Sequence, residues 1–86
     1  MKLLNKGIME SLIYSEPMSE GTNRFLEVPF QIKINGVLNI IDMDVMIVLD
    51  ENEEVEELEF DFVHDVYTEE QEDGIRQLLK TAYNGI

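Results

Sequence analysis

The 86-residue chain carries a formal net charge of −13, contains no cysteine and is 44% apolar, with seven aromatic residues (four Phe, three Tyr). That length predicts one domain spanning residues 1–86, with one modest core that buries roughly 60–65% of the unfolded surface and leaves little room for a deep, enclosed active site. The lack of cysteine excludes disulfides, thiolate zinc sites and cysteine nucleophiles, and it points to the cytoplasm, because a secreted domain this small usually needs staples.

Lys2 and Lys6 near the start are not followed by the unbroken apolar run of a signal peptide. No apolar stretch approaches the ~20 residues that a membrane-spanning helix requires. The N-terminal segment itself reads two ways. Leu4, Ile8 and Leu12 fit one face of a short helix, which is the favoured reading, while Ile8, Glu10, Leu12 and Tyr14 would also fit a strand. Residues 15–24 are polar, with a proline and a glycine, and predict a loop.

Asn35-Gly36 is the clearest local signal. It lies between Phe30-Gln31-Ile32-Lys33-Ile34 and Val37-Leu38-Asn39-Ile40-Ile41, and Asn-Gly suits the positive φ angles of a two-residue hairpin turn. Such a turn fixes the register. Ile34 then faces Val37, Phe30 faces Ile41, Val28 faces Met43 and Leu26 faces Val45, each pair apolar. In this register Pro29 stands opposite Asp42 at a non-hydrogen-bonded site, its nitrogen turned away from the partner strand, so this first strand should be a sheet edge.

The second strand runs over about 37–49, and Asp50-Glu51-Asn52-Glu53-Glu54 forms the next turn. Glu56 to Val66 then alternates, with Leu58, Phe60, Phe62, His64 and Val66 toward the core and Glu57, Glu59, Asp61, Val63 and Asp65 away from it. Thr68-Glu69-Glu70-Gln71 has the form of a capping box, Ile75, Leu78, Leu79, Ala82 and Tyr83 follow at helical spacing, and Asn84-Gly85 supplies a stop. Gly74 suggests close packing of this helix on the sheet. The expected architecture is α+β: a three-stranded antiparallel meander with a C-terminal helix on one face and an N-terminal helix, in the order α-β-β-β-α. Double-stranded RNA-binding domains share that order of elements. Here, however, the last helix carries only Arg76 and Lys80 behind a run of acids, so it lacks a phosphate-binding cluster.

The charge is concentrated. Between Lys33 and Arg76 lie 42 positions without a basic residue, and they hold 15 of the 19 acids. Such a field repels nucleic acid and anionic membranes and attracts basic surfaces or cations. The sheet face away from the helix is expected to present Phe25, Glu27, Pro29, Gln31 and Lys33, then Leu38, Ile40, Asp42, Asp44, Met46 and Val48, then the acids of the third strand. Glu27 falls opposite Asp44, and two like charges about 5 Å apart repel by about 0.8 kcal/mol even in water. Asp42, Asp44, Met46, Glu57, Glu59 and Asp61 are therefore the candidate partner-binding residues, since a methionine within an acidic face suits a basic, partly apolar surface. Solvated acids that serve only solubility are the plain alternative.

Other patterns are weaker. Asp50-x-Asn52-x-Glu54 has the start of a calcium loop, but Val55 stands where that loop needs glycine. Asp42 and Asp44 with Glu59 and Asp61 could collect a hard cation. His64, the single histidine, is expected to be structural and half-buried on the core face. No nucleophile–base pair, Gly-rich phosphate loop or zinc spacing is present, so neither an enzyme nor a cofactor is expected. The leading expectation is a small acidic intracellular module that docks a basic protein surface, in its sharpest form a nucleic-acid mimic. The alternative is an assembly subunit that forms a homodimer through the mixed apolar and acidic face.

Overall fold

A computed structural model describes residues 1–13 and 21–85, with only the backbone of residue 13. The elements are β1 (Lys2–Leu3), α1 (Gly7–Ile13), β2 (Thr22–Ile34), β3 (Val37–Leu49), β4 (Val55–Phe62) and α2 (Glu69–Asn84). The four strands form one antiparallel sheet in the order β1-β2-β3-β4. The α+β class and the meander are as expected, and a short fourth strand is added. Of the loop expected over 15–24, residues 15–20 lie outside the described residues, and Thr22 to Arg24 already belong to β2.

The hairpin register follows the Asn35-Gly36 turn as the sequence implies. Both turn residues have positive φ, at 50° and 81°. Ile34 pairs with Val37, Phe30 with Ile41 and Val28 with Met43. Beyond Val28 the expectation fails. Leu26 and Glu27 form a bulge, so that Phe25 rather than Leu26 meets Val45, and Leu26 is left 74% exposed. A bulge sets two residues against one and moves every later side chain to the other face.

Strand β2 is not an edge either. Leu3 pairs with Ile32 and Lys2 with Lys33, and the Leu4 N–H donates to the Gln31 carbonyl at 2.8 Å. Pairing stops there, short of Pro29, whose ring nitrogen has no hydrogen to offer a ladder. The Asn5 side chain continues where the backbone leaves off. Its amide nitrogen donates to the Pro29 carbonyl at 2.9 Å, and its oxygen accepts the Gln31 N–H at 2.8 Å. Asn5→Ala should cost about 1 kcal/mol in urea unfolding, whereas an unchanged midpoint would show that water serves these groups equally well.

Both helices lie on one face of the sheet. Met9 and Leu12 from α1 and Ile75 and Leu79 from α2 close a core made by Leu3, Val28, Phe30, Ile32, Ile41, Met43, Val45, Ile47 and Phe60. Phe30 and Phe60 meet edge to face at its centre, with ring centroids 6.0 Å apart. The N-terminal segment thus combines a two-residue strand with a short helix. Leu4, expected on the helix face, is exposed instead. Helix α2 starts at the expected capping box: the Gln71 N–H donates to the Thr68 hydroxyl, and the Thr68 N–H donates to the Gln71 side-chain oxygen. Gly74 faces the Met1 side chain and not the sheet, since a Cβ there would stand 2.9 Å from the Met1 methyl carbon.

Strand β4 ends at Phe62, four residues earlier than expected. The chain turns after it, so His64 and Val66 leave the core face and are exposed. Phe62 and Tyr67 pack ring against ring at 5.9 Å across this turn. No helix among the described residues is long and apolar enough to cross a membrane.

Candidate functional site

With both helices on the core face, the opposite face of the sheet stands open among the described residues. Met43, Val45 and Ile47 of β3 are buried, so strand alternation turns Asp42, Asp44, Met46 and Val48 outward. Across the ladder Asp61 pairs with Asp44, Glu59 with Met46 and Glu57 with Val48. The six candidate residues therefore share one face. Glu57, Glu59 and Asp61 are exposed, while Asp42, Asp44 and Met46 are half-buried on the more central strand.

The β2 bulge alters what borders them. It carries Phe25 to the core side and brings Arg24 onto the open face, opposite Met46. Arg24 thus joins Lys33 as a counter-charge on this face. The Arg24 guanidinium contacts the Met46 sulfur at 3.7 Å. Arg24, Leu26, Asp44, Met46, Glu59 and Asp61 border a shallow depression of about 160 Å³. It is open rather than enclosed, and it combines carboxylates, a thioether and an apolar side chain.

Glu27 does not face Asp44 as the unbroken register implied. It sits at the bulge with φ of 52°, and its backbone N–H donates to the Asp44 carboxylate at 3.0 Å. A repulsive cross-strand pair is replaced by a charge-assisted hydrogen bond, at the cost of an uncommon backbone conformation for a residue with a side chain. The like-charge contact lies instead between Asp44 and Asp61 on neighbouring strands. These two carboxylates consequently differ in role. Asp61→Asn is expected to stabilise by about 0.2–1 kcal/mol, because directly opposed like charges destabilise a ladder. Asp44→Ala removes the same charge but strands the bulge N–H, and it should destabilise by about 1 kcal/mol. Equal shifts of melting temperature for the two variants would contradict this division.

Asp42 has a second neighbour. The His64 ring nitrogen Nε2 lies 3.5 Å from its carboxylate, and the His64 side chain is 66% exposed. His64 is therefore a surface group beside the acidic face rather than a core histidine. Sequence alternation placed it wrongly because the strand ends before it.

The Asp50 carboxylate accepts the backbone N–H groups of Asn52 at 2.8 Å and Glu54 at 3.0 Å, so it organises the turn after β3 itself. Among the described residues no group of three or more His, Asp or Glu side chains is arranged to hold a metal ion, the Asp42, Asp44, Glu59 and Asp61 set included.

Arg76 was missed as an organiser of this region. From α2 it donates Nε–H to the Phe60 carbonyl at 2.9 Å and lays its guanidinium 5.1 Å from the Phe62 ring centroid. It thereby fixes the outer edge of β4, the strand carrying three of the six candidates. The only hint in the sequence is its position one residue after Ile75, on the flank of the apolar stripe. In comparison with known proteins, the chain matches no family model, no curated protein and no solved structure.

Proposed function

We propose that this protein is a small intracellular binding module, not an enzyme, that docks a basic and partly apolar protein surface on the open face of β3 and β4. One observation carries the reading: Asp42, Asp44, Glu57, Glu59 and Asp61 share an uncovered sheet face with Met46 among them. Carboxylates at alternate strand positions repeat about every 6.7 Å, which gives a partner a regular row of acceptors. Arginine and lysine side chains would reach these acceptors, while Met46 and Leu26 supply adaptable apolar contact.

The sharper form of the proposal is nucleic-acid mimicry, in which the carboxylate rows stand in for phosphates within a basic groove. Pull-down from lysate at low and high salt tests the general reading. Partners should be retained at low salt and released at high salt, and addition of DNA or RNA should displace them if mimicry operates. Partners retained equally at both salts would sink the electrostatic mechanism. Self-assembly is a second reading, favoured by a separate feature, the exposure of Leu38 and Ile40.

A further inference from the structure

The β2–β3 hairpin extends past the rest of its sheet. Strand β4 accompanies β3 only between Met43 and Leu49, followed by one more hydrogen bond, from the Val63 N–H to the Asp42 carbonyl at 3.2 Å. From Val37 to Ile41, β3 is paired on the β2 side alone among the described residues.

The turn determines which backbone groups this leaves open. Ile34 and Val37 close a two-residue turn and so form a hydrogen-bonded pair, and such pairs alternate along an antiparallel ladder. Val37, Asn39 and Ile41 therefore direct their N–H and C=O toward β2. Leu38 and Ile40 direct theirs outward, in phase with Asp42, which receives the Val63 N–H. The same two residues present apolar side chains at 51% and 64% exposure, and Val37 at the tip is 63% exposed.

Natural sheets guard such an edge with charge, bulges or a covering element. The β4 edge has these guards in Glu57, Glu59 and Asp61 and in Arg76 on the Phe60 carbonyl. Along the hairpin edge no charge, bulge or covering element stands among the described residues, and the Tyr67 hydroxyl donates to the Asn39 side-chain oxygen at 3.4 Å from the core face. Residues 34–41 are the longest stretch of the sequence without Asp, Glu, Lys or Arg, eight in a row.

Charge selects the occupant. A chain of net charge −13 repels its own copy over most of its surface, and stacking two open faces would set Asp42, Asp44, Glu59 and Asp61 against their equivalents. The neutral hairpin edge is where two copies can approach without that opposition. We infer that a second copy of this chain pairs here, β3 against β3 and antiparallel, about a twofold axis at Asn39. In that register Leu38 meets Ile40 of the second copy and Ile40 meets its Leu38, so the outward N–H and C=O groups of both residues are satisfied on both chains. Val37 meets Ile41 of the second copy. Asp42 falls opposite Gly36 of the second copy, so no carboxylate confronts another. A shift of the axis to Ile40 would set Leu38 against Asp42 and demand a carbonyl that Val63 already uses. The two sheets become continuous, with both acidic faces on the same side.

Sedimentation of the full chain over a wide range of concentration tests the inference. Wild type should form a dimer, and Ile40→Lys should weaken self-association by at least about tenfold with an unchanged circular dichroism spectrum, since Ile40 is exposed. The register has its own readout, because the chain has no native cysteine. Asn39→Cys places one thiol on the axis, where facing Cα atoms of a non-hydrogen-bonded pair lie about 4.5 Å apart, within disulfide reach. Mild oxidation should link it into dimers, while Glu57→Cys stays unlinked. A wild-type monomer at every concentration, a dimer that survives Ile40→Lys, or an Asn39→Cys chain that does not crosslink would each overturn the pairing. None of these results bears on the acidic face, which the Ile40→Lys monomer would still carry.

Discussion

Phe60→Ala is expected to lower unfolding stability by about 3–5 kcal/mol, the usual cost of deleting a buried phenyl ring. Phe60 is 2% exposed and meets Phe30 edge to face at the centre of the core, between the sheet and the two helices. It is also the only fully buried side chain of β4 among the described residues, with Leu58 and Phe62 half-covered beside it. Removing the ring therefore leaves a cavity and withdraws the main apolar anchor of that strand. Domains of this kind hold about 5–15 kcal/mol in total, so a loss of this size is a substantial share of the stability. Urea titration would register this as a markedly lower midpoint. A loss below about 1 kcal/mol would mean that the core closes without Phe60.

Arg76→Ala should cost about 1.5–3 kcal/mol, the range for a hydrogen bond that involves a charged group. The Nε–H bond to the Phe60 carbonyl ties α2 to the outer edge of β4, and the guanidinium covers the Phe62 ring. Ion pairs to Glu72 at 3.9 Å and Asp73 at 3.8 Å hold the side chain in that pose, although helix-surface pairs of this kind contribute little themselves. Arg76→Lys should recover only a minor part, because an ammonium lacks the planar fork and stacks poorly on an aromatic ring. The deficit should persist in high salt. Full recovery by lysine, or a deficit abolished by salt, would reduce Arg76 to a simple counter-charge.

Much of the fold was legible where local chemistry and hydrophobic pattern agreed. Asn35-Gly36 set the hairpin register as far as Val28 and Met43, and Thr68 with Gln71 marked the start of α2. The errors arose where tertiary contacts overrode a locally plausible pattern. Alternation alone cannot choose between Leu26 and Phe25 as the residue that meets Val45. The bulge selects Phe25, supported by the Asp44 carboxylate, which is distant in sequence. Similarly, the alternation of β4 continues in the sequence through Val66, but the strand stops at Phe62, where the chain turns to pack Tyr67 against Phe62.

The candidate face was legible because it depends on alternation along β3 and β4, which the bulge in β2 does not disturb. All six residues share it. Its borders were not legible. Arg24 arrives through the bulge, and His64 arrives through the early end of β4. Both sit beside carboxylates, so the face is less uniformly acidic than the sequence implies. Asp44, expected only to meet a partner, also holds the bulge. Asp61 is the cleaner choice for testing recognition.

The central claim is that the position of these acids, and not merely their number, attracts a partner. Binding of a polycationic peptide, measured by calorimetry at low salt, separates the two. One variant combines Glu57→Gln, Glu59→Gln and Asp61→Asn on the open face, and the other combines Glu10→Gln, Glu69→Gln and Glu70→Gln on the helices. Both remove the same charge. The face variant should lose most of the affinity and the helix variant should bind nearly as wild type, whereas equal losses in the two would show that total charge alone is at work and would contradict a docking face.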